Sequence, residues 1–175
     1  MKNISILIIC LISISDLFGV DGYKEFKFGT SKADVKRLYG KDLYETKMND
    51  ISDQVVMLVS EEFSFGDSKT NIYFYFIADK MLRVGIQIPV QKIQGIIQSL
   101  KEKYGAPSSA SSPESFVSVD TKPNTSAFLK WDNGTVVLLV TSGPDNAQEA
   151  LLIYTDPSYE EVLGKKQQKE LKDSI

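Results

Sequence analysis

A helix-like segment that stops at a glycine occurs twice in this chain, and this recurrence constrains the fold more than any other feature. The first copy covers residues 28–40. In it, Ser31 and Asp34 have the spacing of a capping box, and Gly40 suits the left-handed residue that ends a helix. A weaker copy of its end, Leu-Lys-Glu-Lys-Tyr-Gly, occupies residues 100–105. The sequence therefore predicts two short helices, the second starting near residue 90.

Runs of alternating apolar residues follow each predicted helix, as expected for antiparallel strands. Three strands are predicted in each half, over residues 55–65, 71–78 and 82–88 and over residues 125–131, 135–141 and 150–154. A three-stranded unit alone would leave one side of its sheet bare, so we expect the two units to share a core. The predicted fold is α+β, with two tandem repeats of one helix packed on a three- or four-stranded antiparallel sheet.

Four further segments carry weaker predictions of structure. Composition predicts loops over residues 41–53 and 106–114, a short extra strand over residues 115–119, and a C-terminal helix that opens at Asp156-Pro157 and frays after Leu163. The resulting division of the chain is a signal peptide at 1–22, a first repeat at 23–89, a second repeat at 90–163 and a polar C-terminal tail at 164–175.

The first 22 residues have the pattern of a secretory signal peptide. Lys2 gives a positive start, residues 4–14 form an apolar run, and small residues follow where cleavage would occur. The run is shorter than the roughly 20 residues that span a bilayer. We expect a periplasmic or secreted protein with no integral membrane segment after cleavage. Lipoprotein anchoring through Cys10 is disfavoured, because Cys10 lies inside the apolar run and follows the bulky Ile9.

The amino-acid composition excludes several common classes of catalytic site. The chain has no histidine and a single cysteine, which excludes Ser-His-Asp and Cys-His catalysis and zinc sites built from those residues. The formal net charge of −3 gives no basic footprint for nucleic acid. We therefore predict a protein that is not an enzyme, with no metal, no cofactor and no nucleic-acid partner.

The first helix motif and the segment Phe-Ile-Ala-Asp-Lys-Met-Leu at residues 76–82 are similar to the SmpA/OmlA (BamE-like) pattern. In that pattern a helix ending in glycine is followed by aromatic strands and an Asp-Gly-Lys-type turn. The tandem arrangement resembles that of the β-lactamase inhibitor protein. This resemblance implies an exported, non-enzymatic protein that binds another protein through a sheet or loop surface.

The middle strands are apolar on both faces, over residues 72–77 and 136–140. One interpretation is a sheet with helices on one side and a partner-binding surface on the other, formed by Tyr73, Tyr75 and Trp131, since tyrosine and tryptophan often anchor interfaces. The other is that the second face packs against the sister repeat or a returning segment, as in buried central strands. The scarcity of large exposed apolar patches on monomers favours the second interpretation.

A pair of carboxylates, Glu61-Glu62, interrupts an apolar strand. Paired carboxylates can perform acid–base chemistry when their environments separate their pKa values. Neighbouring residues of a regular strand point to opposite sides, however. We therefore predict a β-bulge or a solvated strand end here.

Three functional hypotheses follow from these features. The leading one is an exported binding protein of the cell envelope that recognises a protein partner through its sheet face. The alternative is a small-molecule or lipid carrier with a cavity between helix and sheet. The third is an enzyme that uses carboxylate chemistry. Surface aromatics favour the first, an apolar cavity the second, and two facing carboxylates in a cleft the third.

Overall fold

Four helices and one large antiparallel sheet form the part of the chain that the computed structural model describes, which is residues 19–40, 43–47 and 55–173. The helices are α1 (Lys32–Tyr39), α2 (Ile93–Tyr104), α3 (Pro113–Thr121) and α4 (Tyr159–Asp173). The strands are β1 (Gly22–Tyr23), β2 (Phe26–Lys27), β3 (Tyr44–Lys47), β4 (Val55–Phe65), β5 (Ser68–Ile77), β6 (Lys80–Ile88), β7 (Ser109–Ala110), β8 (Ser126–Trp131), β9 (Val136–Ser142) and β10 (Gln148–Thr155). Most of the predicted signal peptide, Cys10 included, lies outside the described residues.

The sheet has eight strands in the order β3-β4-β5-β6-β10-β9-β8-β7, and every neighbouring pair is antiparallel. The N-terminal half supplies four contiguous strands and the C-terminal half the other four. Their last strands, β6 and β10, join the halves, with Ile88 opposite Ala150 and Arg83 opposite Thr155. The predicted α+β class is confirmed. β1 and β2 form a separate two-stranded hairpin.

Different helices pack against the two faces of the sheet. One face, called here the near face, carries the main core, which includes Phe74, Ile86, Leu138 and Leu152. Residues of α1, α2, α3 and the small hairpin pack against it. On the opposite, far face, α4 packs over the N-terminal strands through Tyr159 and Leu163. The sheet is thus covered on one side by three helices and on the other by one.

The ends of α1 follow the sequence signals. The Ser31 hydroxyl accepts a hydrogen bond from the Asp34 backbone N–H at 3.2 Å and donates to the Asp34 carboxylate at 2.8 Å. Gly40 ends the helix with φ 66°, a left-handed conformation in which a Cβ would be strained. Both parts of the capping prediction are confirmed.

A β-bulge interrupts β4 at the carboxylate pair. The register with β5 shifts between Ser60 and Phe63, and Glu61 and Glu62 are both exposed. The bulge prediction is confirmed. It leaves the two carboxylates in solvent rather than facing each other in a cleft.

Four sequence-based expectations about local structure are wrong. The expected loop over residues 106–114 contains the short strand β7, which pairs with β8. The expected loop over residues 41–53 contains β3, which pairs with β4. The expected strand over residues 115–119 belongs to α3, which Ser112 caps and Pro113 opens, because proline suits the first position of a helix. Finally, α4 continues past Leu163 to Asp173.

Candidate functional site

The three residues predicted to bind a partner do not form one surface. Tyr73 lies half-buried on the far face, and Tyr75, 8% exposed, packs beside it near α4. Trp131 is fully buried in the core of the near face, where its indole Nε1 donates to the Gly105 carbonyl at 3.2 Å. The assignment of Trp131 to an exposed binding face is therefore wrong, because its position in β8 points to the side that the helices cover.

The far face has an apolar strip beyond α4. It consists of Val137 and Leu139 on β9 and Leu151 and Ile153 on β10, all half-buried. Leu139 lies opposite Leu151, and Val137 lies opposite Ile153. None of the four belongs to the cluster that packs with α4 in the described part of the chain. We call these four residues the far-face strip.

Two hollows lie along the far-face strip. The first, called the tyrosine hollow, has a volume of about 170 Å³ and is lined by Tyr73, Tyr75, Gln87, Leu139, Thr141, Glu149, Ala150 and Leu151. The second, called the arginine hollow, has a volume of about 520 Å³, and its lining includes Arg83, Lys130, Val137, Ile153, Thr155 and Glu160. The strip is therefore an uneven surface with a concavity at each end.

Tyr75 packs next to Gly85 of β6. A Cβ at position 85 would lie 3.4 Å from the Tyr75 ring, at van der Waals contact. Burial raises the pKa of Tyr75 to about 12. Its hydroxyl is therefore protonated at neutral pH and able to donate a hydrogen bond.

Arg83 organises the other end of the strip. Its guanidinium stacks on the Tyr159 ring, and its Nε donates to the Thr155 hydroxyl at 3.1 Å. Its Nη2 reaches the exposed Glu160 carboxylate at 3.1 Å. These contacts hold one cationic side chain flat at the edge of α4, in the wall of the arginine hollow. Lys130 adds a second cation to that hollow.

A separate groove lies on the near face between α2 and α3. It has a volume of about 270 Å³ and is lined by Val90, Ile93, Gln94, Ile97, Phe116, Val119, Asp120, Leu129, Leu138, Val140 and Gln148. At its rim the Gln148 side-chain amide donates to Asp120 Oδ1 at 2.9 Å. The apolar pattern of the sequence does not predict this groove, because it does not predict α3, whose signal is the Ser-Pro-Glu start at residues 112–114.

Metal-ligand clusters and membrane-spanning helices are both missing from the described residues. Within them, no group of three or more His, Cys, Asp or Glu side chains could hold a metal ion. No described helix is long and apolar enough to cross a bilayer. The far face can contact another molecule through apolar side chains, with charged side chains at the ends of the far-face strip.

Together, the fold and the far-face strip define an α+β protein with an eight-stranded antiparallel sheet and a partly uncovered apolar face. A family model described as "Uncharacterised protein" matches residues 23–174, and the chain belongs to that family. An uncharacterized protein from Haemophilus influenzae is 35% identical over 176 residues, which cover 100% of this chain and 98% of that protein. No solved structure matches.

Proposed function

We propose that this protein is an exported, non-enzymatic binding protein of the cell envelope that holds a protein partner on the far-face strip. The observation that carries the proposal is the row of four half-buried aliphatic side chains on β9 and β10 beside α4. Contiguous apolar surface, when it is large and rimmed by polar residues, marks protein-interaction sites.

The ends of the strip favour a protein as the occupant. Tyr73 lines the tyrosine hollow and Arg83 the arginine hollow, and these two residue types are enriched among interface residues that dominate binding energy. Arg83 is already held by Tyr159 and Thr155, so little side-chain entropy would be lost on binding. A partner segment with aliphatic side chains along its length fits between the two hollows.

Export is supported by the extent of the family match. The match begins at residue 23, which is the first residue after the predicted signal peptide. The charged and polar surface of α4 and the small net charge of −3 suit an envelope protein that meets other proteins rather than nucleic acid.

The two halves also support the proposal of a duplicated unit like that of the SmpA/OmlA family. Each half places its own strands on its own side of the sheet, and the two meet through β6 and β10. A shift of 65 residues aligns Gly40, which ends α1, with Gly105, which ends α2. In this proposal α3 is an insertion in the second copy.

Site-specific photocrosslinking in the native envelope tests the partner hypothesis. A photoreactive amino acid at Leu139 is expected to give a defined protein adduct, and one at Val117 none. Val117 is a suitable control because it is 61% exposed but lies on α3, on the near face.

A charge placed in the strip provides the second arm of this experiment. Leu151→Arg is expected to abolish the adduct from position 139, while Val117→Arg leaves it intact. The same adducts in both variants, or none at position 139 in the unaltered background, would refute the proposal.

A further inference from the structure

We propose that the near-face groove between α2 and α3 binds a small cationic amphiphile, with its alkyl chain in the groove and its ammonium group against Asp120. This site lies on the opposite side of the sheet from the far-face strip. The proposal is therefore independent of the protein partner.

The walls of the groove leave apolar surface unused. Ile93 and Ile97 on α2 and Phe116 on α3 pack against the core but are only half-buried. Beneath them, Leu138 and Val140 are buried on β9. An alkyl chain between the two helices would bury the remaining surface of the wall residues, at roughly 25 cal/mol for each Å² removed from water.

The volume sets the size of the ligand. A cavity of about 150 Å³ lined by Leu, Ile and Phe can hold benzene, and this groove measures about 270 Å³. Drug-sized ligands occupy sites of about 300 Å³ and above. The groove therefore suits a short alkyl chain rather than a large ring system or a whole lipid.

The charge at the rim of the groove determines which sign of charge the ligand's head group should carry. Asp120 is the only ionisable side chain among the described residues that line the groove, and Gln94 and Gln148 supply neutral amides. Gln148 engages Asp120 Oδ1. Lys92, which precedes α2, is engaged by Asp67. A carboxylate at the mouth of an apolar groove repels fatty-acid head groups and attracts an ammonium group.

The helix ends do not reverse this preference. Gln94 lies in the first turn of α2 and Asp120 in the last turn of α3. The partial charges at these ends are about +0.5 and −0.5 and oppose each other. The full negative charge of Asp120 therefore decides the selectivity.

Titration of the purified mature chain with three eight-carbon probes tests the proposal. Octylammonium, 1-octanol and octanoate are each added below their micellar concentration and followed by calorimetry and by NMR shifts of α2 and α3. Octylammonium is expected to bind about fivefold more tightly than octanoate, with 1-octanol between them. No detectable octylammonium binding, or equal affinity for octanoate, would overturn the proposal.

Three variants locate the bound probe. Asp120 is exposed, so Asp120→Asn is expected to weaken octylammonium about two- to fivefold and to leave 1-octanol unchanged. Leu129→Phe narrows the groove and is expected to weaken both probes. Glu102→Gln is the matched control, since it neutralises an exposed acid on α2 outside the groove lining. Octylammonium binding that is unaffected by both groove variants, or weakened equally by Glu102→Gln, places the probe elsewhere and refutes the site.

Discussion

The guanidinium of Arg83 lies 3.7 Å from the centre of the Tyr159 ring. Arg83 belongs to β6, and Tyr159 opens α4. The same guanidinium donates to Thr155, at the end of β10. One side chain thus connects the N-terminal half of the sheet, the C-terminal half and the helix on the far face.

Arg83→Met is expected to destabilise the protein by about 1–2 kcal/mol, because it removes the cation–π contact and the hydrogen bond to Thr155 while keeping an apolar stem. The ion pair with the exposed Glu160 adds little. Urea unfolding followed by circular dichroism measures the change. Lys69→Met is the control, since Lys69 forms an exposed pair with Glu62. Equal stabilities of the two variants would contradict this role for Arg83.

The burial of Trp131 predicts a separation between stability and binding. Trp131→Phe is expected to cost about 1–3 kcal/mol, through a cavity and the loss of the hydrogen bond to Gly105. The photocrosslink from position 139 should nevertheless persist. Trp131 is the single tryptophan of the chain, so its emission in the unaltered protein should be blue-shifted and move to the red on unfolding. Emission typical of solvated indole in the folded protein would contradict its buried position.

Alkaline pH is expected to destabilise the fold through buried tyrosines. Burial raises the pKa of Tyr23 and of Tyr75 to about 12, and burial also raises the pKa of Tyr154. Between pH 10 and 12 the unfolded chain therefore releases protons that the folded chain keeps, and stability falls across this window. Below pH 10 the buried tyrosines make their full contribution to the free energy of unfolding.

Chemical unfolding at several pH values between 8 and 12 measures this loss. Tyr75→Phe is expected to remove up to about 2–3 kcal/mol of the alkaline decrease, since two pKa units correspond to that amount. Thr46→Ser, a substitution at a non-ionising position of the edge strand β3, should leave the slope unchanged. A pH profile that is the same with and without Tyr75 would disprove the assignment.

Two glycine substitutions should change stability in opposite directions. Gly40 has φ 66°, so Gly40→Ala is expected to cost about 1 kcal/mol. Gly95 lies inside α2, and a Cβ there would meet no atom within 4 Å. Gly95→Ala should therefore stabilise by about 0.5–1 kcal/mol. Thermal unfolding of both variants provides the comparison, and a gain from Gly40→Ala would contradict its role as the helix stop.

The parts of this fold that the sequence predicts well have strong local causes. The cap at Ser31 and the alternation over β4 each depend on residues within one element, so the pattern alone reveals them. β3 escaped prediction because Tyr-Glu-Thr-Lys at residues 44–47 is polar, and its strand conformation depends on pairing with β4. Tertiary pairing of this kind overrides local composition.

The candidate site was harder to predict for a related reason. Period-two alternation shows that Tyr73 and Tyr75 share a face, but it does not show which face α4 covers. The alternation also does not show which side chains of β8 point to the same face of the sheet as Tyr73 and Tyr75 of β5. For this reason the prediction that Trp131 shares their face is wrong. The relative phase of distant strands depends on the order in which they pair, and the sequence pattern does not contain that order.

The pairing of β6 with β10 also has a consequence for shortened forms of the chain. A product that stops in the linker after α2 would leave β6 without its partner β10, so the backbone N–H and C=O groups along that edge would be free to pair with another strand. Such a product would be prone to associate with an unpaired strand of another protein or with β6 of a second copy of itself. β6 precedes β10 along the chain by the whole α2–β9 segment, so this edge of the N-terminal half stays unpaired until the last strand is in place.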